Sequence, residues 1–287
     1  MPITDTPLRY PGGKTQMSPL VMDIALANGL TQGFYCEPFA GGAGIACRLL
    51  VSGAMSEVWI NDIDRAIYAF WHSVLNEPDP LCELIERTPV TMIEWRRQRA
   101  VQKLNDVSML ALGFSTLFLN RTNRSGILRG GVIGGYDQQG NYPLDCRFNR
   151  VDLVRKVQRL ALYREQVHIS CQDARLYIAN TVRKLPARSL VNIDPPYFNM
   201  GPELYTSFYT PKDHAALART IRSLSKPWML TYDDAPEICA LYAGLPGTRK
   251  ALNYSAQVKK VGVELLVVSP LLRLPPSLKL APLPLAA

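Results

Sequence analysis

The feature that most restricts the fold is a strand–turn–helix–strand rhythm early in the chain. Phe34–Glu37 is a short aromatic and apolar run that reads as a strand. A glycine-rich turn follows, and Ile45–Val51 then reads as a helix. Val58–Asp62 reads as a second strand and Ala66–Leu75 as a second helix. Further strands are predicted at Val167–Cys171, Leu190–Asp194, Trp228–Tyr232 and Glu264–Ser269. Between Val151 and Tyr163, Val151, Val154, Val157, Leu160 and Ala161 recur at helical spacing, with Arg155, Lys156 and Arg159 on the other face. Such alternation predicts an α/β fold with a parallel, doubly wound, Rossmann-like sheet.

Residues 76–150 break the rhythm. They open on Glu77-Pro78-Asp79-Pro80, read as helical through about Asp106, and end in a glycine-rich stretch. This predicts a mainly helical insert with a loop or hairpin at a basic edge, dividing the α/β domain into residues 1–75 and 151–274. Residues 275–287, rich in Pro and Leu without a period, are expected to form a loose tail. The length of 287 residues suits one large domain with an insert.

The net charge of +8 is uneven. Arg121 to Lys184 holds 12 basic and 5 acidic residues, a net of +7, so nearly all of the excess lies in one stretch. A phosphate-rich partner met by one region, or a merely solvated basic face, would each account for it. The apolar stretch Val261–Val268 is too short for a membrane span of about 20 residues and is interrupted by Glu264. The six cysteines form no CxxC pair, which argues against a zinc site or a disulfide framework and suits a cytoplasmic location. His168, in an apolar strand, is expected to be a core residue, and no histidine is assigned a catalytic role.

Four segments can carry chemistry. Gly12-Gly13-Lys14-Thr15 has the end of a phosphate-binding loop, but Leu8 stands where that motif needs glycine, and no strand precedes it. A turn that delivers Lys14 to a carboxylate or phosphate is the better reading. Glu37-Pro38-Phe39-Ala40-Gly41-Gly42-Ala43-Gly44 links a strand to a helix, where glycines let a ligand approach the backbone and the helix N-terminus. Asp62 ends the next strand, placed to accept bonds from ribose hydroxyls. Cys47 breaks the dinucleotide pattern, which leaves a smaller nucleoside cofactor. Asp194-Pro195-Pro196-Tyr197 follows the buried-strand run Leu190–Ile193. Its prolines stiffen a turn that holds a carboxylate, a carbonyl and an aromatic ring together, a set suited to an exocyclic amino group. Asn120, Arg121, Asn123, Arg124 and Arg129 lie on the basic glycine-rich segment, where they are expected to meet phosphates and base edges.

Together these motifs resemble the Dam-type, alpha-class order of site-specific DNA adenine-N6 methyltransferases, from Leu8 to about Pro270. Arg9-Tyr10-Pro11-Gly12-Gly13-Lys14, the 37–44 loop, Asn61-Asp62-Ile63-Asp64, Phe118-Leu119-Asn120-Arg121-Thr122 and Asp194-Pro195-Pro196-Tyr197 occur in that family's order. The segment through Gly201, Leu204-Tyr205 and Phe208-Tyr209 is similar to the family's loop after the catalytic motif. The resemblance implies S-adenosyl-L-methionine as cofactor, held by Tyr10, Lys14, Glu37, Phe39, Gly41, Gly42, Gly44, Asp62, Asp173 and Asp194. It implies catalysis by Asp194 to Tyr197 on an adenine flipped out of double-stranded DNA, and a possible restriction endonuclease counterpart. No metal is implied, since a sulfonium donor is already activated. Cytosine-N4 or RNA adenine methylation, or a DNA-binding protein of the same fold without activity, are the alternatives.

Overall fold

The computed structural model describes residues 4–9, 14–199, 209–255, 259–276 and 278–284. In chain order, α1 is Ser18–Ala27, β1 Gly33–Glu37, α2 Gly44–Val51, β2 Met55–Asn61 and α3 Arg65–Asn76. The insert region contributes α4 Pro78–Arg87, α5 Met92–Val101 and α6 Met109–Thr122. Then come α7 Arg150–Ala161, β3 Val167–Ser170, α8 Ala174–Asn180 and β4 Ser189–Ile193. The remaining strands are β5 Trp228–Asp233, β6 Pro246–Ser255, β7 Lys259–Val268 and β8 Ala281–Pro282, with further helices at Pro211–Arg222 and Pro236–Leu241.

The eight strands form one sheet in the order β3-β2-β1-β4-β5-β7-β6-β8. The first five in that order are parallel, as the rhythm predicts. The strand expected at Glu264–Ser269 is part of β7, and it runs antiparallel to both β5 and β6. The correction has a simple cause: only residues 256–258 separate β6 from β7, and so short a connection permits only an antiparallel pair. From β1 the chain passes to β2 on one side, while β4 lies on the other. The gap beyond the ends of β1 and β4 is therefore the sheet's switch point, where open α/β sheets bind ligands.

Alternation along the strands divides the core. Leu190 of β4 and Met229 of β5 join one apolar cluster, while Val191, Ile193, Trp228 and Leu230 join another. The first cluster is covered by α1, α2, α3 and α7 and extends through Trp95, Phe114 and Phe118 of the insert helices. The second is covered by Tyr177 and Ile178 of α8 and by Leu217, Ile221 and Ile238.

Helix α6 lies beyond Asp106, where the helical stretch predicted from the sequence ends. It is buried on all sides from Leu112 to Thr122, and its polar side chains there are buried too. Gly113 permits its approach to α3: a Cβ there would lie 2.4 Å from Ser73 Oγ and 2.6 Å from the Ala69 carbonyl oxygen.

Two further expectations need correction. The tail is not loose where it is described, because Ala281–Pro282 pairs with β6 and Leu283 is buried against the second cluster. His168 is a half-exposed residue on the edge strand, stacked on Trp59 at 4.1 Å with Nε2 2.7 Å from Glu57 Oε2. Among the described residues, no helix is long and apolar enough to cross a membrane.

Candidate active site

The chain leaves β1 at Glu37, which is buried beneath the glycine loop. Its Oε1 accepts bonds from Tyr35 OH at 3.0 Å and from the Ala46 N–H of α2 at 3.2 Å. Burial outweighs those bonds and raises the carboxyl to about 8. Gly41 turns the loop with φ +46°, and Ala43 adopts the left-handed region at φ +43° just before α2. That region is uncommon for alanine, and strain of this kind gathers at functional loops. Gly42 accepts a bond from Thr6 Oγ1 at 2.6 Å. A Cβ on Gly44 would meet Thr15 Oγ1 at 2.2 Å, so the loop is seated directly against the residue after Lys14. Phe39 packs on the second core cluster and meets Tyr209 edge-on at 5.9 Å.

Asp62 lies just beyond the end of β2 and faces this loop. Its Oδ2 accepts the Gly41 N–H at 2.8 Å and its Oδ1 the Asp64 N–H at 2.9 Å. Burial raises its carboxyl to about 6 against the pull of those two bonds. A small depression beside it is lined by Ala40, Asn61, Tyr68 and Ser170, among others. The buried Asn61 ties the neighbouring strand ends together, donating to the Pro38 and Gln172 carbonyls and accepting from Ser170 Oγ and the Gln172 N–H. Asp173 caps α8 through Oδ1, which accepts the N–H groups of Arg175 and Leu176.

Across the switch point, Asp194-Pro195-Pro196-Tyr197 follows β4. Lys14 reaches it from the N-terminal segment, as its turn predicts. The buried Lys14 Nζ lies 3.0 Å from Asp194 Oδ1, 3.2 Å from Oδ2, 3.1 Å from Tyr197 OH and 3.0 Å from Glu264 Oε1. Thr231 of β5 donates to Asp194 Oδ1 at 2.8 Å. Tyr197 OH donates to Glu264 Oε1 at 2.6 Å. Burial lifts Glu264 to about 7, with the Lys14 ammonium opposing the rise. Asp233, at the end of β5, accepts the N–H groups of Phe198 and Asn199 and so holds the chain just after the motif.

Thr231, Asp233 and Glu264 were not singled out from the sequence. Each lies within a strand run, and Glu264 stands out there only as a charge interrupting apolar residues. Tyr10 lies outside the described residues, as do Pro11 to Gly13, Gly201, Leu204-Tyr205 and Phe208.

The basic segment is arranged differently from expectation. Asn120 and Arg121 belong to α6, and both are buried, as is Asn123 at its C-terminal end. Asn120 accepts the Arg9 N–H and donates to the carbonyls of Arg9 and Gly126. Arg121 donates to the Pro7 carbonyl, with Nε at 2.7 Å. Asn123 accepts from Trp95 Nε1 at 2.7 Å and donates to the carbonyls of Ile127 and Leu128. Their polar atoms are thus engaged inside the protein, and the expected contact with DNA gives way to support of the loop base and the N-terminal segment. Arg124 and Arg129 are exposed, on a turn-rich loop closed by the Arg124 N–H to Gly131 and the Ile133 N–H to Thr122.

No curated protein matches the chain. Two similar solved structures are a conserved hypothetical protein of Streptococcus pyogenes and the rRNA methyltransferase aviRa from Streptomyces viridochromogenes. The first is 11% identical with a TM-score of 0.34, covering 82% of this chain and 83% of that one. The second is 15% identical with a TM-score of 0.36, covering 90% and 85%. Likenesses this distant carry no argument. The family model for D12 class N6 adenine-specific DNA methyltransferases, by contrast, matches residues 10–259. That span takes in the glycine loop, Asp62 and the Asp194 motif alike, so the chain belongs to this family of enzymes, which transfer a methyl group from S-adenosylmethionine to the N6 amino group of adenine in DNA.

Proposed function

We propose that the protein is a site-specific, Dam-type methyltransferase acting on double-stranded DNA, with Asp194 to Tyr197 as its catalytic motif. The observation that carries the reading is the meeting of Asp194, Lys14 and Tyr197 at the switch point, next to the glycine loop. The donor set fits a nucleoside cofactor: a carboxylate at Asp62 for ribose hydroxyls, a backbone loop at 41–44, and Phe39 as an apolar neighbour. Asp173 is a further candidate at the same edge of the sheet. When bound, the cofactor supplies an electrophilic methyl group on a sulfonium.

The chain's own residues do the rest. A duplex adenine must leave the stack to be reached, at a cost of a few kcal/mol. Residues 76–150 serve as the target-recognition insert, and Arg124 and Arg129 hold phosphates and help offset that cost. Tyr197 offers its ring to the extruded base. Asp194 and the Pro195 carbonyl accept bonds from the exocyclic amino group, which draws its lone pair out of conjugation and aims it. Lys14 and Thr231 hold the Asp194 carboxylate in place, so orientation supplies much of the rate.

Asp194→Ala tests the assignment. The expected result is loss of methyl transfer with DNA retention largely unchanged in a gel-shift measurement. Undiminished transfer removes Asp194 from the mechanism.

A further inference from the structure

Glu264 is a carboxylate in the middle of the sheet. It lies on β7 between β5 and β6, in register with Asp233 and Lys250, and runs directly into the buried residues Leu265 to Val268. It is 3% exposed. Burying a carboxylate is costly unless partners compensate, and an apolar residue would serve packing at least as well. Its contacts therefore indicate what the charge is for. Oε1 takes both the Tyr197 hydroxyl at 2.6 Å and the Lys14 ammonium at 3.0 Å, and the same ammonium holds Asp194. Oε2 is buried with no hydrogen-bond partner among the described residues. The hydroxyl end of Tyr197 is thus fixed between an acceptor and a cation, and the ring is tied to Asp194 through one shared group.

We propose that Glu264 is a positioning residue for methyl transfer: its carboxylate fixes the Tyr197 hydroxyl, and so the plane on which the target adenine stacks, relative to Asp194. This rests on the reading that Tyr197 receives the base. Glu264 itself touches neither base nor cofactor. Its loss should slow the methylation step while leaving cofactor and DNA affinity almost untouched.

The test uses the full-length enzyme and a duplex with one mapped target site, in which 2-aminopurine replaces the target adenine. Stacking on Tyr197 quenches the probe, so Tyr197→Ala should brighten it. Equal brightness of wild type and Tyr197→Ala would fail the stacking reading itself. Given that control, Glu264→Ala should also brighten the probe, and its single-turnover rate on ordinary DNA should fall on the order of 100-fold. In a Tyr197→Phe background, where the hydroxyl is already gone, the same change should cost less than about threefold, because the two residues act as one unit. A quenched probe in Glu264→Ala, or full additivity with Tyr197→Phe, overturns the inference. Glu264→Gln keeps an oxygen acceptor for the hydroxyl and guards against a variant that fails to fold. It should stay quenched, and a bright Glu264→Gln overturns the inference equally.

Discussion

Asp62 combines two backbone N–H bonds with a carboxyl raised to about 6, so its charge changes close to neutral pH. On the proposed reading, it is ionised above that value and accepts ribose hydroxyls at full strength, and below it the proton removes that advantage. Affinity for S-adenosylmethionine should therefore weaken as pH falls through about 6, and Asp62→Asn should flatten that dependence; calorimetric titration across the range checks both. Asn120 makes a separate prediction. Asn120→Ala leaves the part-buried backbone groups of Arg9 and the buried Gly126 carbonyl unpaired and should cost about 2 kcal/mol in urea unfolding. It should leave the salt slope of DNA binding unchanged, whereas loss of a true phosphate contact lowers that slope by about one. At this scale, Lys14 and Asp194 were legible because a turn and a strand end advertise them. Glu264 was not, since a single charge in an apolar run gives no sign of which partner it will meet across the sheet. Asn120 and Arg121 were misread because polar and basic side chains suggest a surface, although buried ones suffice when backbone carbonyls lie in reach.

Among the elements, the N-terminal segment and α6 carry the least expected role. Thr6 bonds the glycine loop, Pro7 receives Arg121, Arg9 pairs with Asn120, and Lys14 ends at Asp194. A Cβ on Gly126 would lie 2.0 Å from the Arg9 carbonyl oxygen, so the loop base is packed directly on this strap. Residues 6–9 and Lys14 therefore touch the glycine loop, the insert helix α6 and the Asp194 motif. The contact of α6 with α3 is equally tight. Gly113→Ala gains about 1 kcal/mol of helix propensity but drives a methyl group into Ser73 and the Ala69 carbonyl. Because backbone cannot yield as a flexible side chain does, the net effect should be a loss of about 1–3 kcal/mol and a melting temperature lower by a few degrees in calorimetry. The strands of the parallel half were legible from apolar runs and turn residues. Strand β6 was not, because Arg249 and Lys250 interrupt its apolar residues, and strand direction is not encoded in a period of two.

For the whole molecule, the basic residues of the stretch Arg121–Lys184 fall into paired and unpaired groups. Arg155 and Lys156 pair with Asp152, Arg159 with Asp5, Arg164 with Glu165 and Arg175 with Asp173. The exposed Arg124 and Arg129 meet no carboxylate among the described residues, and they stand on the loop beside the strap. Replacing either by alanine should weaken binding to all sequences alike and lower the salt slope of DNA affinity by about one. The central claim is methyl transfer to adenine at the Asp194 motif. Its most direct test is to incubate the enzyme with isotopically labelled S-adenosylmethionine and unmethylated double-stranded DNA, digest the product and identify the labelled nucleoside. Label in N6-methyladenine, lost with Asp194→Ala, is the predicted result; label in N4-methylcytosine, or none in DNA under conditions where the cofactor binds, would contradict it.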